Sequence, residues 1–251
     1  MKKILKLLTL TLFIWFQPLS ALTEQLSLSD VPQVMERFFH FHIENKEWNP
    51  TLVRRAFKLY IEQFDSDKSY FLEEEVVPYL SMSDKKALEI QKRLEVNNYS
   101  DFLELNRLAQ KAVFRARVVR GEVGKELVEQ KRGLSTFSNG AVARYPQTVE
   151  EIADRQKLRM AKFYQFHEGR TRLETADRKA KVCALFEKKM RRFENLYLFL
   201  DTDGARLSQE RIEHLFALRI LKAFAKSLDT HTAFFSPEEA LEMRLSLEKQ
   251  F

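Results

Sequence analysis

Six glycines and six prolines in 251 residues leave few places for the chain to turn sharply. That scarcity excludes folds built on many tight hairpins, and it leaves no glycine-rich loop to cradle phosphate. One cysteine, Cys183, excludes an internal disulfide and a cysteine-paired zinc site. Its setting, Lys181-Val182-Cys183-Ala184-Leu185-Phe186, suits a small buried side chain better than a reactive thiol. The five histidines form no His-Glu-x-x-His pattern. His40 and His42 point to different sides of a helix, and His167, His214 and His231 stand singly. No serine occupies a G-x-S-x-G elbow, and nothing resembles the backbone nest that holds a peptide carboxylate. A marked charge excess is also missing. Lysine and arginine number 42 against 36 acids, and the three lysines of residues 1–21 leave only +3 on the remainder. So small and dispersed a charge argues against nucleic acid as a partner.

What is present points to helices. Leu, Glu, Lys, Arg and Ala are frequent, and 21 phenylalanines promise an aromatic core. The expected fold is an all-α, multi-helix domain. Lys2, Lys3 and Lys6 precede a short apolar run, Leu7 to Phe16, and Leu19-Ser20-Ala21 ends in a small residue suited to cleavage. Residues 1–21 therefore read as a signal peptide, and 22–251 as the exported domain, located in the periplasm. The run is shorter than the ~18 apolar residues a spanning helix needs, so no stable membrane span is expected after cleavage.

Start signals recur along the chain. Ser29 or Asp30 precedes a helix near Pro32, Asn49 precedes Pro50, and Ser83 or Asp84 opens a segment through Leu94. Ser100 and Asp101 open a longer helix. Thr148 with Glu151 forms a capping box leading to about Phe166. Another helix is expected from about Glu174 to Leu200, and the next from Ser208 to Leu228. Residues 131–140 are the best loop segment, and the stretch near 131–146 could divide two helical lobes.

Two stretches share an order of residue types. Phe64-Asp65-Ser66-Asp67-Lys68-Ser69-Tyr70-Phe71 leads into Glu73-Glu74-Glu75, and Leu228-Asp229-Thr230-His231-Thr232-Ala233-Phe234-Phe235 leads into Ser236-Pro237-Glu238-Glu239. Each reads as a helix end, a polar turn around an aspartate, an aromatic plug and a restarted helix. In the second, Ser236 can cap the last helix, Pro237 to Lys249. Glu239 can reach back, and Pro237 loses nothing at the first helical position. Phe235 is expected to be buried against the helix from Ser208 to Leu228. The Asp-x-Asp runs at Asp65 and Asp201 do not fit a calcium loop. The sixth and twelfth places hold Tyr70 and Val76 in one, and Arg206 and Ile212 in the other, where glycine and glutamate are required. No cofactor or metal is expected. His231 reads as a hydrogen-bonding turn residue. Lys181, Lys188, Lys189, Arg191 and Arg192 read as a solvated helix face.

The run AFAKSLDTHTAFFSPEEALEMRLSLE resembles the segment of tail-specific proteases just ahead of their PDZ domain. These are the carboxyl-terminal processing serine peptidases of bacterial envelopes. YIEQFDSDKSYFLEEEVV resembles their N-terminal corner, and YPQTVEEIADRQKLRMAKF the helix between. The similarity covers most of residues 30–250. Asp229, His231, Phe235, Ser236 and Pro237 are the matching positions, and with Asp65 and Phe71 of the first corner they are the candidate structural residues. Thr230 stands where the family usually has proline. The resemblance implies a periplasmic endopeptidase that selects proteins by apolar C-termini, using a serine nucleophile and a lysine base whose pKa burial lowers. It implies that the helices wrap PDZ and peptidase domains. No serine or lysine here can be assigned the catalytic roles, so the expectation is the N-terminal helical part of such an enzyme, inactive alone. Its partners would be protein substrates or a separately encoded PDZ/peptidase part. The alternative is a stand-alone protein-binding or chaperone-like helical module.

Overall fold

The computed structural model describes residues 25–129, 144–168 and 175–248. The expected signal peptide at 1–21 and the expected loop at 131–140 lie outside them. A 3-10 turn, Leu28–Asp30, leads into α1 (Val31–Phe41), followed by α2 (Pro50–Phe64), α3 (Glu73–Leu80), α4 (Asp84–Glu95) and α5 (Ser100–Glu129). Then come α6 (Val149–Glu168), α7 (Thr175–Leu198), α8 (Gln209–Leu228) and α9 (Pro237–Glu248). The fold is all-α, with no strand among the described residues.

The start signals work as local chemistry requires. Asn49 Oδ1 accepts from Leu52 N at 2.8 Å, and the hydroxyls of Ser83 and Ser208 each accept from a first-turn amide at 3.3 Å. Each bond satisfies a backbone donor that the helix itself leaves unpaired, worth about 1 kcal/mol. At the 201–204 break, Asp201 Oδ1 accepts from Asp203 N and Ala205 N, both at 2.9 Å. Gly204 supplies the positive φ (+88°) that closes this turn at low steric cost. Asp201 thus serves a turn.

Two cores form. In the first, α2 is the hub, packed against α8, α3, α4 and α5. Phe57 stacks on Phe102 at 4.2 Å between centroids, Phe102 meets Phe224 edge-on at 5.6 Å, and Phe64 reaches Tyr197 at 4.6 Å. Burying each such ring is worth roughly 1.5–3 kcal/mol, and each well-oriented pair about 0.5–1.5 kcal/mol more. In the second core, the C-terminal half of α5 packs with α6 and α7 around Val123, Leu127, Met160, Tyr164 and Phe186. Helix α5 runs about 45 Å at 1.5 Å per residue. Phe102 to Ala116 belong to the first core, and Val119 to Leu127 to the second. The two cores therefore meet along one continuous helix. Tyr145, at the end of the stretch expected to divide two lobes, is buried in the first core.

Candidate functional site

The first corner closes around Asp65, which is 1 % exposed. Its carboxylate accepts from the amides of Ser69 (2.6 Å), Tyr70 (3.1 Å) and Phe71 (2.9 Å). Burial pushes its pKa up, against those three N–H groups, which pull it down. Lys68 takes the left-handed conformation at φ +50° so that the chain can curl over the carboxylate. Phe71 is 1 % exposed and packs edge-on against Phe64 at 5.2 Å.

The corner's outer surface joins the two cores. Gln156 donates to Ser69 O at 2.7 Å and Arg159 to Ser69 Oγ at 2.8 Å, both from α6. Arg115 on α5 donates to Tyr70 O at 2.7 Å. The Tyr70 hydroxyl donates to Glu194 Oε1 at 2.9 Å. Glu194, 0 % exposed, also accepts from Arg117 Nε (2.8 Å) and Arg120 Nη2 (3.0 Å) through Oε2. Arg120 Nη1 lies 2.6 Å from Glu194 Oε1, an ion-pair contact too poorly aligned to count as a hydrogen bond. Burial opposes the Arg120 charge, but hydrogen bonds to Glu187 and Glu194 hold its pKa above the usual value.

The second corner is built on Asp229. Its Oδ1 accepts from His231 N at 2.7 Å and Thr232 N at 2.6 Å. Its Oδ2 accepts from Thr232 Oγ1 at 2.9 Å and pairs with His42 Nε2 at 2.8 Å. These bonds, that from Thr232 N foremost, hold the Asp229 pKa down at about 2. His42 Nδ1 accepts from Glu44 N and Asn45 N, so Nε2 carries the proton and donates to Asp229. Asn45 Nδ2 donates to Leu228 O at 3.1 Å, satisfying a terminal carbonyl of α8. The corner therefore uses the imidazole of His42, while His231 contributes its backbone N–H and has an exposed side chain. Sequence reasoning missed His42. It lies 187 residues from Asp229, and no local pattern joins them.

Ser236 is 4 % exposed and caps α9. Glu239 N donates to its Oγ at 3.2 Å, and Ser236 N donates to Glu239 Oε2 at 2.9 Å. Pro237 opens the helix. The expected burial of Phe235 is corrected: Phe235 is 47 % exposed, while its neighbour Phe234 packs on the first core and meets Phe38 edge-on at 6.2 Å. The segment ahead of α9 is not helical, and successive side chains of an extended segment point to opposite sides, so burying one ring exposes the next. The two corners have separate partners, α5, α6 and α7 for the first and the α1–α2 connection for the second.

A cleft of about 680 Å³ opens beside the second corner. Leu196 and Tyr197 of α7, Leu215 and Leu218 of α8, and Phe234 and Phe235 form its apolar wall. Lys222 and Lys226 stand at its rim, and Lys222 pairs with Glu239 of α9. Arg219 is committed to the wall. It stacks 4.1 Å over Tyr197, donates to Asn106 Oδ1 at 3.0 Å and bonds Leu196 O. Such a site can bury an apolar segment and meet acids at its edge. Cys183 is half-buried against the second core, and burial pushes its thiol pKa up. Lys181, Lys188, Lys189, Arg191 and Arg192 are exposed, and Arg191 pairs with Glu187 at 3.0 Å. Among the described residues no group of three or more His, Cys, Asp or Glu is placed to hold a metal, and no helix is long and apolar enough to cross a membrane.

The family model described as "Tail specific protease N-terminal domain" matches residues 34–238. No curated protein matches the chain.

Proposed function

Because the chain belongs to the tail-specific protease family by its N-terminal domain, we propose that it is the non-catalytic helical part of a periplasmic tail-specific serine endopeptidase. The observation that carries this reading is the family match over 34–238, which takes in the first corner and the second as far as Glu238. The side chains themselves support it. Asp65 and Asp229 are spent on backbone amides, Ser69 on Arg159, Ser227 on Phe224 O and Ser236 on the α9 cap. These are framework duties. The serine nucleophile and lysine base belong to a peptidase part, and the helices frame it and the path by which an unfolded substrate arrives.

The test is proteolysis of an unfolded protein by the purified chain, alone and mixed with a separately produced PDZ–peptidase part of the family. No cleavage is expected from the chain alone. Cleavage that persists through rigorous purification and vanishes on one point substitution in this chain would refute the reading. Export is tested by mass spectrometry of the protein from its native host. A mature start near Leu22 is expected, and an intact Met1 in the cytosol would refute it.

A second reading, a stand-alone protein-binding module, is favoured by the open apolar cleft beside α9. The nucleotide sequence after the Phe251 codon separates the two. A frame encoding a glycine-rich PDZ entry supports the peptidase, and an unrelated gene supports the module.

A further inference from the structure

The imidazole of His42 joins two segments that lie far apart in sequence. Its side chain is 8 % exposed. Nε2 meets Asp229 Oδ2 of the second corner at 2.8 Å, and Nδ1 accepts from Glu44 N at 3.1 Å and Asn45 N at 2.9 Å. Asn45 in turn bonds Leu228 O, so the connection between α1 and α2 is held against the end of α8 at two points. The two bonds to Nδ1 exist only while that nitrogen is unprotonated, because an imidazolium has no acceptor.

Histidine is the residue type whose charge ordinarily changes between about pH 5 and 8. A proton on Nδ1 sets one donor against two others, and bond strengths decide which contact yields. The Nε2 contact to Asp229 becomes charge-assisted and roughly doubles in strength. Asp229 stays ionised through this range, since bonds from Thr232 and His231 hold its pKa down at about 2. The bonds from Glu44 N and Asn45 N are neutral and easily replaced. Glu44 is exposed and Asn45 half-buried, so water can take both amides. The other titratable side chains of the segments around the ring are His40 of α1, Glu44, Lys46 and Glu47 of the connection, Lys226 of α8 and His231 of the corner. All six are exposed, where water screens them.

We propose that His42 is a pH-sensitive clasp: neutral, it holds the α1–α2 connection on the end of α8; protonated, it keeps Asp229 and releases residues 43–46. The freed stretch carries Ile43, 90 % exposed and two residues from Phe41, 79 % exposed, so acid changes how this apolar pair is presented. The clasp depends on neither reading of the chain's function.

The test is an NMR titration of the purified protein from about pH 8 to about pH 5, the span in which histidine takes its proton. It follows the His42 ring nitrogens together with hydrogen exchange at the Glu44 and Asn45 amides, corrected for the intrinsic pH dependence of exchange. At high pH, Nδ1 should show the shift of an unprotonated acceptor and Nε2 that of an N–H. As His42 is protonated, exchange at Glu44 and Asn45 should quicken about fivefold, the worth of one neutral hydrogen bond. The amides of Phe57 and Ala109 in the first core should keep their protection. In His42→Gln, whose side chain does not titrate, the step should vanish. Amides 44 and 45 that stay protected while His42 is protonated would overturn the proposal. So would release at a midpoint other than that of His42, an unchanged step in His42→Gln, or a ring that stays neutral down to about pH 5. A loss shared with Phe57 and Ala109 would overturn it too, since the change would then be unfolding and not a local release. Proteolysis enters none of these readouts, so failure here is distinguishable from failure of the proposed function.

Discussion

Replacing Glu194 should separate the two cores energetically. The carboxylate is fully buried and gathers Tyr70 from the first corner with Arg117 and Arg120 from α5. In Glu194→Gln the shape is kept but the charge is lost, and the new amide N–H₂ faces donors. Arg120, itself fully buried, then retains only Glu187, whose side chain is 27 % exposed. The Tyr70 hydroxyl is left with a weak contact to Met190 Sδ at 4.0 Å. Removing one partner of a buried pair costs about 3–5 kcal/mol, chiefly because the other charge stays buried and uncompensated. Each kcal/mol moves the melting temperature by about 2–4 °C in a protein of this size, so a fall of about 6–20 °C is expected. Circular dichroism melts of the parent, Glu194→Gln and the double variant Glu194→Leu/Arg120→Met would measure it. The double variant removes both charges and should recover much of the loss. A Glu194→Gln melt within about 2 °C of the parent would refute the reasoning, since it would mean less than about 1 kcal/mol rests on the charge.

Three further outcomes follow from the corners. Phe234→Ala should cost about 1–3 kcal/mol, part of the value for a fully buried ring, and Ser236→Ala about 1 kcal/mol. Phe235→Ala should stay within about 0.5 kcal/mol, and urea unfolding that ranks Phe235 first would contradict the extended backbone ahead of α9. For Asp229, the folded pKa of about 2 lies below the ordinary carboxylate value, so its contribution is present above about pH 4 and lost as pH falls through about 2. A carboxyl NMR titration of Asp229 with a midpoint near 4 would contradict this. Asp65→Ala orphans three buried amides and should cost about 3 kcal/mol or more, while Asp65→Asn, which keeps an acceptor, should cost less. Equal losses in thermal melts of the two variants would show that the acceptor is not what matters.

The sequence by itself determined where helices start. Asn49, Ser83, Ser208 and Ser236 each complete their caps with an amide three residues away. It also determined the two aspartate turns, because Asp65 and Asp229 bond amides no more than six residues on. Both are short-range arrangements that few residues decide. Tertiary structure alone decided which ring of Phe234-Phe235 turns inward, since adjacent aromatics offer equal apolar area and only the facing Phe38 selects one. It decided that His42 serves Asp229, and that Tyr70 meets Glu194 across 124 residues. Such pairs have no spacing to read, because their distance is set by how α5, α7 and α8 pack. It decided, too, that the cores meet along α5: the apolar positions of that helix run on without a break, and only the neighbours, α2 and α8 at one end, α6 and α7 at the other, assign them to different interiors.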